Sequence, residues 1–122
     1  MLIDSNIIIY SAQPEHDHLR QFIAKHTPAV SAISRVEVLG YHRLTAQARQ
    51  WFEEFFAAAT VLPLSEVVLE RAVQLRQLRK MTLGDALIAS TALTYSRTLV
   101  TRNTKDFDWI VDLSVLNPFP TT

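Results

Sequence analysis

An α/β domain built on a central, mostly parallel sheet is the fold class this sequence predicts, and two observations predict it. Short apolar runs at residues 1–3, 29–31, 60–62, 98–101 and 113–117 are too brief for helices and rich in Leu, Ile and Val. Between them lie stretches with apolar residues at helical spacing, the alternation that produces parallel strands with crossover helices. In such sheets the working groups collect at the carboxyl ends of the strands, so polar residues that lie at those ends matter most.

In chain order, Met1-Leu2-Ile3 is a buried strand that ends on Asp4-Ser5-Asn6, a polar turn opening a short helix. Ile7 to Ile9 taken alone favour strand, but the turn precedes them. Pro14 marks a second helix with Leu19, Phe22 and Ile23 on one face, ended by Thr27-Pro28. After the strand at 29–31, Ser34-Arg35-Val36-Glu37 has the capping-box form and is expected to start a helix with Val36, Leu39 and Gly40 against the body. Residues 45–59 form a helix whose Trp51, Phe52, Phe55 and Phe56 crowd one side, as core or as interface. Ser65 caps a helix with Val68, Leu69, Ala72, Leu75 and Leu78 turned inward. Thr82 to Phe107 is the central unit: a helix with small, close-packing Ala89, Ser90 and Ala92, a strand, and the polar loop Arg102-Asn103-Thr104-Lys105-Asp106.

With 122 residues, 48% of them hydrophobic, the chain is expected to form a single domain over residues 1–122. It has no cysteine, which removes disulfides and thiolate metal sites and suits a reducing cytosol. No apolar stretch approaches the ~20 residues of a membrane span, so a soluble cytoplasmic protein with no membrane contact is expected. Twelve basic and twelve acidic residues cancel, so any nucleic-acid binding must come from local patches.

Asp4 follows the first strand, Glu37 lies in the helix after the second, Asp85 opens the central helix, and Asn103 and Asp106 follow the fourth strand. Each has an ordinary explanation as a helix cap, a dipole partner or a turn residue. Those explanations leave their shared sheet edge unaccounted for. Carboxylates so gathered repel one another, and each needs a raised pKa or a cation beside it. A hard divalent ion, Mg2+ or Mn2+, suits an all-oxygen donor set. His16, His18, His26 and His42 share no spacing with the carboxylates, and His16 and His18 are expected in a surface loop.

Four segments carry a family resemblance. Asp4-Ser5-Asn6 resembles the D-[TS]-N opening of PIN-domain ribonucleases. Ser34 to Gly40 resembles their S-x-x-E-x-x-x-G segment. Leu83-Gly84-Asp85-Ala86-Leu87-Ile88-Ala89 is similar to their x-x-D-A-x-I-A helix, and residues 99–107 to their L-V-T-x-[ND]-x-x-D-F loop. The matches fall in family order across almost the whole chain, and the subgroup most resembled is the VapC-type toxins of bacterial toxin–antitoxin pairs. The resemblance implies a PIN-like three-layer α/β/α fold and an Mg2+-dependent endoribonuclease with Asp4, Glu37 and Asp85 as catalytic metal ligands. Many members carry an aspartate where this chain has Asn103, so Asp106 supplies the fourth charge or Asn103 ligates through its carbonyl. Arg102, Lys105 and Arg35 are candidate phosphate contacts, and Ser5 and Thr101 candidates to orient water or a phosphate oxygen. The implied partners are RNA, a cognate antitoxin bound by the aromatic-rich N-terminal half, and a second copy of the chain. The competing readings are a non-catalytic PIN-like protein or RNA interaction module and a small Mg2+-dependent phosphatase-like domain; Asp4 standing alone after the first strand fits the latter poorly.

Overall fold

The computed structural model describes residues 1–120; Thr121 and Thr122, the end of the single domain expected over residues 1–122, lie outside it. The chain runs β1 (Leu2–Ile3), α1 (Ser5–Ser11), α2 (Asp17–His26), β2 (Val30–Ser31), α3 (Ala32–Leu39), α4 (Ala46–Ala58), β3 (Val61–Leu62), α5 (Glu66–Leu78), α6 (Leu83–Thr94), β4 (Leu99–Val100) and β5 (Val115–Leu116). Single 3-10 turns occupy Pro14–His16 and Thr104–Asp106.

Every strand pair is parallel: β1 with β4, β4 with β5, and β2 with β3. A bridge between Leu2 and Ala29 joins the two groups, with the Ile3 N–H donating to the Ala29 carbonyl at 3.0 Å and the Ala29 N–H to that of Met1 at 2.9 Å. The spatial order is therefore β3-β2-β1-β4-β5. Successive side chains of a strand point to opposite faces, and two cores result. Leu2 and Leu99 join Leu75, Ile88, Ala89 and Ala92 of α5 and α6, together with Phe107. Ile3, Val30 and Val100 join Ile7, Ile8, Leu19, Val38, Phe52 and Phe56 from α1 to α4 on the other face. That is the expected α/β/α sandwich.

The central helix α6 is enclosed by its neighbours, with all residues from Ala86 to Ala92 buried. Its two hydroxyls in that run turn back on the helix, Ser90 donating to the Leu87 carbonyl at 3.1 Å and Thr91 to the same carbonyl at 2.6 Å, so both are satisfied, while Thr94 Oγ1 at the end of the helix is buried without a partner among the described residues. Ile7 and Ile8 are buried on α1, where the polar turn overrides their strand preference.

Some expectations fail for readable reasons. Helix α3 starts three residues earlier than the Ser34 motif suggests, because Ser31 is its N-cap and accepts from the Ile33 N–H at 3.4 Å. Ser34 and Glu37 are then interior helix positions, the capping box does not form, and Val36 is 66% exposed while Val38 is buried. On α5 the buried stripe is the narrow Val68, Ala72, Leu75 row; Leu69 lies about 100° around from Val68, Leu78 comes after the last buried turn, and both are exposed. His16 and His18 are half-buried and not in a surface loop, because their rings pack edge-on with Phe119, His16 also meeting Tyr10. The α4 stripe divides: Phe52 and Phe56 are core, while Trp51 and Phe55 are partly buried with near-parallel rings.

Candidate active site

The parallel register Ile3 to Val100 sets Asp4 and Thr101 side by side just beyond the strand ends. The Asp4 N–H donates to the Val100 carbonyl at 2.9 Å, and Thr101 Oγ1 donates to Asp4 Oδ2 at 2.8 Å. Asp4 is 4% exposed and stands at the N-cap position of α1, as the ordinary reading has it, but its carboxylate makes no side-chain capping hydrogen bond there, so capping does not account for the buried carboxylate. Burial pushes its pKa up to about 6; the Thr101 hydrogen bond and the Ser5 backbone pull against this, and the charges of Asp85 and Glu37 add to it.

Ser5 Oγ lies 2.7 Å from Glu37 Oε1 and 2.9 Å from Ser34 Oγ, so a hydroxyl of α1 holds a carboxylate of α3. The other oxygen of Glu37 sits where a Cβ on Gly84 would be. Glu37 thus rests against the first turn of α6, beside Asp85. The helix cap there is Thr82, whose Oγ1 accepts from the Asp85 N–H at 3.1 Å. Burial raises the Asp85 pKa first, the Asp106 charge second, a hydrogen bond from Thr82 opposes the rise, and Glu37 adds to it. Asp106 ends the turn after β4, which is held by the Asp106 N–H on the Asn103 carbonyl (3.1 Å), by the Trp109 indole N–H on the Asp106 carbonyl (3.0 Å), and by fully buried Phe107. Asn103 is exposed; its N–H donates to Thr101 Oγ1 at 3.1 Å, so one hydroxyl ties this loop to Asp4.

Four carboxylates therefore face the same sheet edge, and among the described residues no Lys, Arg or His comes within ion-pair distance of any of them; the only ion pairs are Arg20–Asp17 and Arg49–Glu53, elsewhere. Among the described residues no three acidic or histidine side chains are drawn closely enough together to hold a metal as they stand. By donor chemistry the set nevertheless fits a hard divalent cation. Its groups are all oxygens, and burial, with repulsion between neighbouring carboxylates behind it, raises the pKa values of Asp4 and Asp85, a cost that a bound cation would offset.

The expected substrate contacts separate. Lys105 shares a hollow of about 470 Å3 with Asp85 and Asp106. The Arg102 guanidinium lies over the rings of Phe119 (4.1 Å) and Tyr10 (5.3 Å). Arg35, two residues from Glu37 and so about 200° around α3, lines a different hollow with Glu53 and Phe56. Ser5 and Thr101 act on the carboxylates. Sequence reasoning missed Gly84 as the seat of Glu37, although it is one of only two glycines in the chain and stands inside a helix, and missed Arg79, Lys80 and Trp109 around the hollow.

The PIN domain family model matches residues 1–111. A toxin–antitoxin complex from Klebsiella pneumoniae contains a chain 30% identical, with a TM-score of 0.79 and 98% of each chain covered. VapBC2 from Rickettsia felis bound to a promoter DNA fragment is similar at 24% identity, TM-score 0.78, with 95% of this chain and 96% of that one covered. DNA-bound VapBC from Salmonella typhimurium superposes at TM-score 0.81 with 20% identity and 97% of each chain covered. No curated protein sequence matches the chain.

Proposed function

This chain belongs to the PIN domain family, and we propose that it is a divalent-metal-dependent endoribonuclease, the toxin half of a toxin–antitoxin pair acting in the cytoplasm. The observation that carries the proposal is the sheet edge itself: Asp4 and Asp85 held above their ordinary pKa values, Glu37 and Asp106 beside them, and no basic side chain in contact among the described residues. Asp4, Glu37 and Asp85 would hold Mg2+ or Mn2+, with Asp106 or Asn103 in the fourth place; the charge that Asp106 exerts on Asp85 favours Asp106. The bound ion supplies Lewis acidity, activating water and offsetting charge on the scissile phosphate.

The chain's own residues do the rest. Thr101 fixes the Asp4 carboxylate and Ser5 fixes that of Glu37, so both ligands are oriented before substrate arrives. Lys105 beside Asp85 and Asp106 offers a phosphate contact at the reacting end, and Arg102 would reach the strand by leaving its aromatic seat. The 30% identical structure named above is a toxin–antitoxin complex, which supports a protein partner. Its seat on this chain would include Trp51 and the apolar hollow lined by Ile23, Pro28 and Phe55, and we propose a homodimer as the free form. Among the described residues no helix is long and apolar enough to cross a membrane.

Incubation of the purified chain with structured RNA tests the reading. Cleavage is expected with Mg2+ or Mn2+ and not in EDTA, because no other group here generates hydroxide at neutral pH. Full activity in chelator would remove the metal mechanism, and RNA binding without cleavage would leave the non-catalytic interaction module.

Gly84→Ala separates stability from activity at the same site. A Cβ there displaces the flexible end of Glu37, while Ala is the better helix former by ~1 kcal/mol. The variant is expected to melt at or above the parent temperature and to cleave RNA at least ~10-fold more slowly, the loss that disturbed ligand orientation brings. Parallel melts and rate measurements check it; parental activity would mean that Glu37 has no fixed role.

A further inference from the structure

The hollow beside the carboxylates has a wall that the cleavage chemistry does not use. It is lined by Arg79, Lys80 and Lys105 around Asp85 and Asp106, with Trp109 on one side. Trp109 is half-buried, and its indole N–H is fixed to the Asp106 carbonyl at 3.0 Å, so the ring is held in place by the same turn that presents the carboxylate. The Arg79 guanidinium lies over that ring, 5.2 Å from its centre. A fixed aromatic face, a planar cation against it, two further lysines and a volume of about 470 Å3, within the ~300–1,000 Å3 of small-ligand sites, together suit one unpaired nucleotide. Its base has a π-face to lay on the outer side of the guanidinium, which the ring backs, and its phosphates meet the two lysines.

We infer that Trp109 and Arg79 form a base-stacking wall, which seats a nucleobase beside the carboxylates and sets a preference for a purine at that position. The inference rests on the ribonuclease reading and adds to it the two residues that hold a base and the base they favour. Trp109 and Arg79 are positioning residues: they hold the strand and touch no reacting atom. Purines, with the larger stacking surface, bind more tightly than pyrimidines at this wall.

Fluorescence tests it directly, because Trp51 and Trp109 are the only tryptophans and Trp51→Phe leaves Trp109 as the sole reporter. In EDTA, where the proposed cleavage is off, hexaadenylate, hexauridylate and linear hexaphosphate are titrated into this variant. Hexaadenylate is expected to change the Trp109 emission and to bind more tightly than hexauridylate, while hexaphosphate leaves the emission unchanged. Trp109→Leu is expected to lose about fivefold or more in hexaadenylate affinity, the lower end of base–aromatic stacking, with hexaphosphate affinity kept; should that variant not fold, the emission experiment decides alone. An unchanged emission with hexaadenylate, an equal change with hexaphosphate, or parental affinity in Trp109→Leu overturns the wall. Cleavage by the parent in Mg2+ is measured alongside. Cleavage without an emission change removes the wall and keeps the nuclease; an emission change without cleavage removes the nuclease and keeps a binding site for unpaired RNA.

Discussion

Asp4→Asn is expected to reduce RNA cleavage to ~1% of the parent rate or less and, at the same time, to make the metal-free protein more stable at neutral pH. The first effect follows from the loss of a charged ligand, since disturbing only the partners of such ligands costs ~10–100-fold. The second follows from burial. Asp4 is 4% exposed, and its pKa stands at about 6 against an ordinary 3.8. The folded chain thus binds this proton more readily than the unfolded chain. The group's stabilising contribution is complete below the ordinary carboxylate pKa and is lost as pH rises through about 6. At ~1.4 kcal/mol per pKa unit, keeping the charge buried at pH 7 costs ~3 kcal/mol. Asparagine carries no such cost and its carbonyl still accepts from Thr101. Denaturant midpoints in EDTA should therefore be close for the two proteins near pH 4 and diverge in favour of Asp4→Asn above pH 6. A variant less stable than the parent at pH 7 would return Asp4 to the role of a helix cap.

The layered fold was legible because short apolar runs alternate with helical stretches, and the two central runs pass straight into polar residues that must leave the core. Ile3-Asp4 and Val100-Thr101 both mark the strand ends that the structure places side by side. The Ser34-x-x-Glu37 pattern misled because a serine three residues earlier, Ser31, competes for the same capping role and wins through its place at the end of β2. What the pattern hid was the better function for both residues: Ser34 and Ser5 lie together at the foot of Glu37. Arg35 was misplaced by the same route, since proximity in sequence to Glu37 puts it on the far side of a helix. Trp109 was invisible to motif reasoning because it follows the charged loop as a lone aromatic. Its meaning comes from Arg79, thirty positions away in the chain, closing over it.

Asp85→Asn carries the other large effect, and it tests the metal site most directly. If Asp4, Glu37, Asp85 and Asp106 share one divalent ion, Mg2+ binds the folded state alone and stabilises the parent by RT ln(1 + [L]/Kd), ~3 kcal/mol at a hundredfold excess over Kd. Asparagine keeps the shape of Asp85, and the α6 cap belongs to Thr82 in either case. Thermal melts of parent and variant, each in EDTA and in millimolar Mg2+, separate the possibilities by sign. Asp85→Asn in EDTA is expected to melt at or above the parent, relieved of the cost of a part-buried charge and of repulsion from Asp106 and Glu37, and to lose most of the upward shift that Mg2+ gives the parent. An apo protein destabilised by up to ~1 kcal/mol, with its Mg2+ shift intact, would show that Asp85 serves the helix terminus and holds no metal.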